Sequence, residues 1–208
     1  MADLAKLREA VINGNEKAAV AAANEALAAA IGPVTVVSEG VIPAMAEVGR
    51  RFECGEAFVP ELLLSSRATK AIFEIIRPQL ARTGAQPVGR VVMGTVQGDL
   101  HDIGKNLVVA LLEGSGFEVT DLGVSVPPER FVQAVRDKNA AIVGLSALLT
   151  TTMPAMKSTI DAVRKAGLKV KFMIGGAPVT QAFADEIGSN GYGETAAAAV
   201  GLAKKLSA

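Results

Sequence analysis

The chain has 208 residues, half of them hydrophobic, and its 21 Lys plus Arg balance its 21 Asp plus Glu. That length buries a sizeable core and accommodates one large or two modest domains, while the charge balance excludes an electrostatic case for nucleic acid or an acidic membrane. No apolar run reaches the roughly 18 residues of a membrane span, the start from Met1 to Lys6 lacks a secretory pattern, and the single cysteine, Cys54, can form no internal disulfide. The expectation is a cytoplasmic protein with no nucleic-acid and no membrane partner.

Residues 1 to about 84 read as helices. Leu4, Leu7 and Val11 share one helical face, and Asn13-Gly14-Asn15 stops one helix and starts the next. An Ala-rich helix follows to about Ala30, and Gly32-Pro33 breaks it. A third helix is predicted to about Gly49, kinked or divided at Pro43, with a turn over Arg51 to Phe58. Pro60 then stands in a first helical turn, where its missing N–H costs little, and Leu62, Leu63, Ala68, Ile72, Ile75 and Ile76 line the helix after it. Four helices with short connections predict a bundle, residues 1–84.

Thr83 to Pro87 reads as a linker, and the pattern changes beyond it. Strands are predicted at Val91–Val96, Glu118–Leu122, Ala141–Leu145 and Val170–Ile174, with a weak one near Ser189–Tyr192. Helices are predicted between and after them, at about 103–115, 128–138, 153–166, 178–187 and 194–206. Strand and helix alternate five times over residues 85–208, the pattern of an α/β domain with a five-stranded parallel sheet covered on both faces. Ligands of such folds sit at the carboxyl ends of strands.

The segment Gln97-Gly98-Asp99-Leu100-His101-Asp102-Ile103-Gly104 follows the first strand and holds the chain's only histidine. In an extended loop Asp99 reaches the ring of His101, fixes its tautomer and leaves the second nitrogen free for a metal or a proton. Three readings of the pair stand side by side. It is a surface pair; or a dyad serving a hydroxyl nucleophile, for which Ser146, Thr150 and Thr152 lie at the third strand's exit; or a single axial ligand to a metal that a cofactor brings. A metal site built from protein alone is disfavoured by one His and one Cys.

Asp99-x-His101-x-x-Gly104, then Gly144-Leu-Ser146 with Thr150 and Thr152, then Gly175-Gly176, resembles the cobalamin-binding module of methionine synthase. It is closer still to the corrinoid proteins of methanol, methylamine and glycine-betaine methyltransferase systems, and the resemblance covers essentially the whole chain. It implies a helical cap followed by a Rossmann-like, flavodoxin-like domain. It also implies cobalamin, as methylcobalamin or a related corrinoid, bound with its own base displaced and His101 on cobalt. Asp99 would hold that histidine and Thr152 would continue the relay, standing where methionine synthase has Ser. Ser146 and Thr150 would meet the displaced nucleotide tail, Gly175 and Gly176 would leave room for it, and Tyr192 would line its pocket. Gly98, Asp102, Ile103, Gly104 and Leu148 would complete the cofactor contacts, and Phe58 and Leu62 would cover the methyl group. Gln97 departs from the family, where many relatives carry Lys.

The function so implied is that of a methyl carrier with no catalysis of its own, served by a substrate-specific methyltransferase, a second methyltransferase on the acceptor side and a reductive activase. The alternatives within the same resemblance are an adenosylcobalamin-dependent mutase subunit and a cobalamin-dependent sensor or regulator.

Overall fold

A computed structural model describes residues 4–83 and 86–207. It resolves into two compact units, residues 1–87 with Glu113–Gly116, and residues 88–112 with 117–208. The expected boundary between residues 84 and 85, and the middle of the expected linker, lie outside the described residues.

The first unit is helical: α1 (Leu4–Ile12), α2 (Glu16–Ala28), α3 (Pro33–Thr35), a π-helical segment (Val36–Val41), α4 (Ile42–Glu53) and α5 (Val59–Thr83). The Asn15 side chain accepts from the Ala18 amide and caps α2, as the Asn-Gly-Asn stop predicts. Leu7 and Val11 of α1 and Ala19, Ala23 and Ala26 of α2 are buried. At the start of α5 the Phe58 amide donates to Glu61 Oε2 at 2.6 Å, the return bond of a capping box.

Two expectations for this unit are corrected. Pro43 does not divide the third helix; a π turn precedes it, in which the Ile42 amide donates to Val37 O, five residues back. Widening the helix there accommodates a ring that would clash with the carbonyl four residues earlier. The helix also runs on to Glu53 rather than ending near Gly49. Arg50 and Arg51 both pair with Glu47 one turn back, at 2.9 and 2.8 Å, which favours that last turn. Leu62 is fully buried, whereas Leu63 and Phe58 are exposed.

The second unit alternates β1 (Arg90–Thr95), α6 (Ile103–Gly114), β2 (Glu118–Asp121), α7 (Pro128–Lys138), β3 (Ile142–Ser146), α8 (Pro154–Lys165), β4 (Lys171–Gly175), α9 (Gln181–Glu186), β5 (Gly191–Tyr192) and α10 (Ala196–Ser207). All pairings are parallel, in the order β2-β1-β3-β4-β5. The central strands are almost continuously buried, which explains why they read as unbroken apolar runs rather than alternating ones. The fifth strand shrinks to two residues. Asn190 Oδ1 accepts the Phe172 amide at 2.8 Å, and the Phe172 carbonyl accepts both the Asn190 amide at 2.9 Å and Ser189 Oγ at 3.0 Å, so side chains supplement main-chain bonds there.

The strand order reverses at β1, since β2 lies on one side of it and β3 on the other. Thr95 pairs with Ser146, and Ser146 with Gly175, so three strands end side by side. A switch point of this kind opens a crevice at the carboxyl edge, where the following loops meet. Among the described residues no helix is long and apolar enough to cross a membrane.

Candidate functional site

The loop after β1 turns at once. The Asp99 amide donates to Val96 O at 3.1 Å, and Gly98 takes φ +86°, a conformation that favours glycine. The turn sends the Asp99 side chain inward, where it has no solvent exposure. A carboxylate buried without partners would be costly; this one accepts from five donors. Oδ1 receives the His101 amide at 3.0 Å and lies 2.8 Å from His101 Nδ1. Oδ2 receives the Leu148 amide at 2.8 Å, the Leu149 amide at 3.3 Å and the Thr152 hydroxyl at 2.7 Å. Burial pushes its pKa up, but the bonds from Thr152, His101 and Leu148 outweigh that and hold the carboxyl well below its ordinary range.

An ionised carboxylate only accepts, so His101 Nδ1 must be the donor, and in the neutral imidazole Nε2 carries the lone pair. Half of the His101 side chain is exposed. Exposed apolar side chains occur on the same segments: Leu100 precedes His101 and Ile103 opens α6, 72% and 70% exposed, and Leu148 and Leu149, whose amides hold Asp99, are exposed as well. Large exposed apolar residues on the segments that carry and hold the His101–Asp99 pair form a surface that a ligand would cover.

The sequence-predicted residues divide into three groups. Asp99, His101 and Thr152 come together in one hydrogen-bonded relay, with Gly98 and Leu148 beside it, and Ile103 follows His101 by two residues as the exposed first residue of α6. Asp102 precedes α6, where its carbonyl and its carboxylate both accept from Asn106. Gly104 has negative φ, and a Cβ there would meet nothing within 4 Å, so nothing inside the fold demands glycine. Ser146 ends β3, partly buried, Thr150 is exposed, and Gly175 pairs with Ser146. Gly176 has an internal requirement: φ is +137°, and a Cβ would collide with the Ala147 carbonyl oxygen of the neighbouring loop. Tyr192 packs partly buried against the sheet core. In the helical unit Phe58 is 67% exposed and Leu62 has no exposed surface.

Some contributors carried no signal in the sequence. The Thr95 hydroxyl donates to the His101 carbonyl at 2.8 Å. Ser125 clasps the loop from the other side, accepting the Gly98 amide at 3.1 Å and donating its own amide to Asp99 O at 2.9 Å. Lys105, buried at the start of α6, donates to Asp121 at the end of β2 and to Asn106. A lysine in a first helical turn reads as surface, and only the tertiary fold reveals otherwise.

No group of three or more His, Cys, Asp or Glu that could hold a metal ion occurs among the described residues. The donor set fits a cofactor that brings its own metal and takes one imidazole from the protein, and the open space beside Gly104 and the exposed apolar Leu100, Ile103, Leu148 and Leu149 fit a large, partly apolar ligand.

Comparison with known proteins agrees with this fit. The chain matches the B12 binding domain over residues 89–201 and a second B12 binding domain family over residues 4–77. It is 41% identical to a trimethylamine corrinoid protein of Methanosarcina barkeri, over 97% of this chain and 94% of that one. It is 42% identical to dimethylamine corrinoid protein 1 of Methanosarcina acetivorans, over 92% and 91%. Among solved structures it resembles a chain of the methanol:cobalamin methyltransferase complex of M. barkeri with a TM-score of 0.87 and 33% identity, covering 98% of this chain and 79% of that one. A cobalamin-binding protein of Desulfitobacterium hafniense gives a TM-score of 0.79 and 32% identity, with 99% of both chains covered. The chain belongs to the B12-binding corrinoid proteins, the family that includes the trimethylamine and dimethylamine corrinoid proteins.

Proposed function

We propose that this protein carries a methyl group on a corrinoid bound with its own base displaced, between a substrate-specific methyltransferase and a second methyltransferase on the acceptor side. When bound, the corrinoid supplies a cobalt centre that takes up a methyl group and gives it up again. The observation that carries the reading is the 2.8 Å contact of His101 Nδ1 with Asp99, which leaves Nε2 of a half-exposed ring as the nitrogen available to a metal.

His101 Nε2 is the lower ligand. Asp99 holds the proton on Nδ1 and raises the donor strength of Nε2. Thr152, with the Leu148 and Leu149 amides, stabilises the negative charge on Asp99, so the ligand's basicity follows how firmly that proton is held. Leu100, Ile103 and Leu148 exclude water from the lower side, with Gly98, Asp102 and Gly104 shaping the loop. Ser146 and Thr150 offer hydroxyls to the displaced tail, and Gly175 and Gly176 leave room for it. Tyr192 supports that region from the core side. Phe58 is the exposed apolar side chain proposed to cover the methyl group; Leu62, being fully buried, is not retained in that role.

The relatives' names suggest trimethylamine, dimethylamine or methanol as donors; tetrahydrofolate or a thiol is the acceptor in this proposal. A reductive activase completes the proposed set of partners, and the shuttle is placed in the cytoplasm. The test supplies isotopically labelled trimethylamine, dimethylamine and methanol, each with its purified methyltransferase and an acceptor-side enzyme. Label should reach the acceptor only when the corrinoid-loaded protein is present, and His101→Ala should cut the rate by at least tenfold. Transfer at the same rate without the protein would contradict the proposal.

A further inference from the structure

Asp99 grips His101 by its ring and its amide, but the His101 carbonyl is held from elsewhere. Thr95 is the last residue of β1 and has no solvent exposure. Its own backbone is fixed twice by the loop after β2: its amide donates to Gly123 O and its carbonyl accepts from Val126, each at 3.0 Å. From that anchored position the hydroxyl crosses to the His101 carbonyl at 2.8 Å, six residues on. It caps no helix, and it spans the mouth of the loop.

We propose that Thr95 is a positioning residue for His101. The ring is tied to Asp99 through a side chain with two soft torsions, and its direction also depends on where the main chain of residue 101 is pinned. Without the Thr95 hydroxyl that carbonyl loses its donor, the loop between Asp99 and α6 gains freedom, and the imidazole no longer sits in one place. The inference rests on His101 being the lower ligand, but the effect on the ring exists before any corrinoid binds.

The test compares Thr95→Val, which keeps the branched shape and removes the donor, with Thr95→Ser, which keeps the donor, and with His101→Ala. Because the chain has one histidine, histidine-labelled cofactor-free protein gives a single imidazole spectrum. Wild type and Thr95→Ser should show a sharp Nδ1–H signal, and Thr95→Val should broaden or lose it. Thr95→Val should also bind methylcobalamin about tenfold more weakly, the scale of one hydrogen bond, with Thr95→Ser restored to within about twofold. A wild-type imidazole signal and wild-type affinity in Thr95→Val would overturn the proposal. Should that variant not fold, Thr95→Ala is measured in its place and read in the same way. If His101→Ala leaves the bound corrinoid's absorption unchanged, the ligand reading fails, and the imidazole signal still decides whether Thr95 positions the ring.

Discussion

The Thr152 hydroxyl and the Asp99 carboxylate meet at 2.7 Å, and this is the one side-chain-to-side-chain bond among the three, with the Leu148 and Leu149 amides, that join the loop after β3 to Asp99. The same hydroxyl lies 2.8 Å from the Leu149 carbonyl, yet it has a single hydrogen, and a carboxylate is the stronger acceptor. Thr152→Val keeps the volume and removes that hydrogen. Two amides remain on the same oxygen, so the loss should be about 1 to 2 kcal/mol of stability in the cofactor-free protein, with Thr152→Ser near wild type. Chemical denaturation of the three proteins measures it, and equal stability of wild type and Thr152→Val would show the bond to be idle.

Acid should weaken the cofactor-free protein through Asp99. Its folded pKa lies below the unfolded value, so its contribution is present above about pH 4 and is lost as pH falls toward the folded pKa. In melts from pH 7 downward, wild type should lose stability below about pH 4 more steeply than Asp99→Asn, although Asp99→Asn is the less stable protein at pH 7. Parallel curves would assign the acid sensitivity to other groups.

Lys105 acts as a buried pin between α6 and the end of β2. Its side chain is 1% exposed and that of its partner Asp121 is 34% exposed. Lys105→Ala removes both the charge and the packed stem, and should cost about 2 to 4 kcal/mol. Lys105→Met keeps the stem, and Asp121 can turn to water, so about half of that loss should return. Urea unfolding monitored by circular dichroism checks the order; Lys105→Ala at wild-type stability would mean that the pair is not a structural tie.

The fold was readable because its central strands are short, β-branched and bounded by turn residues, and because the five-fold alternation admits few architectures. The Asp99–His101 pair was readable from two residues two apart, and the place of Thr152 in the relay from the family resemblance. Other parts depend on main-chain groups or on tertiary burial. The Leu148 and Leu149 amides that hold Asp99 could belong to any residue type, and Thr95 reads only as a β-branched strand residue. The core face of α5 was misassigned at Leu63 because adjacent leucines do not say which one turns inward, and Leu62 does. The π segment before Pro43 leaves no mark in composition beyond the proline itself.

The two glycines that matter most should respond in opposite ways. Gly176→Ala meets both a left-handed φ and the Ala147 carbonyl, and should destabilise the second unit by about 2 kcal/mol or more. Gly104→Leu enters open space in a first helical turn and should leave the cofactor-free melting temperature within a few degrees of wild type, while weakening methylcobalamin binding. Thermal melts and binding titrations on both variants separate a glycine required by the fold from one left open for the ligand. Unchanged affinity in Gly104→Leu would place the corrinoid elsewhere.

The most direct test of His101 as the lower ligand is the absorption spectrum of the protein reconstituted anaerobically with methylcobalamin, beside that of His101→Ala. Wild type should bind one equivalent and give a histidine-ligated spectrum, and the variant should give the base-off spectrum. A wild-type protein that binds no corrinoid, or a variant whose spectrum matches wild type, would contradict the assignment of His101 to cobalt.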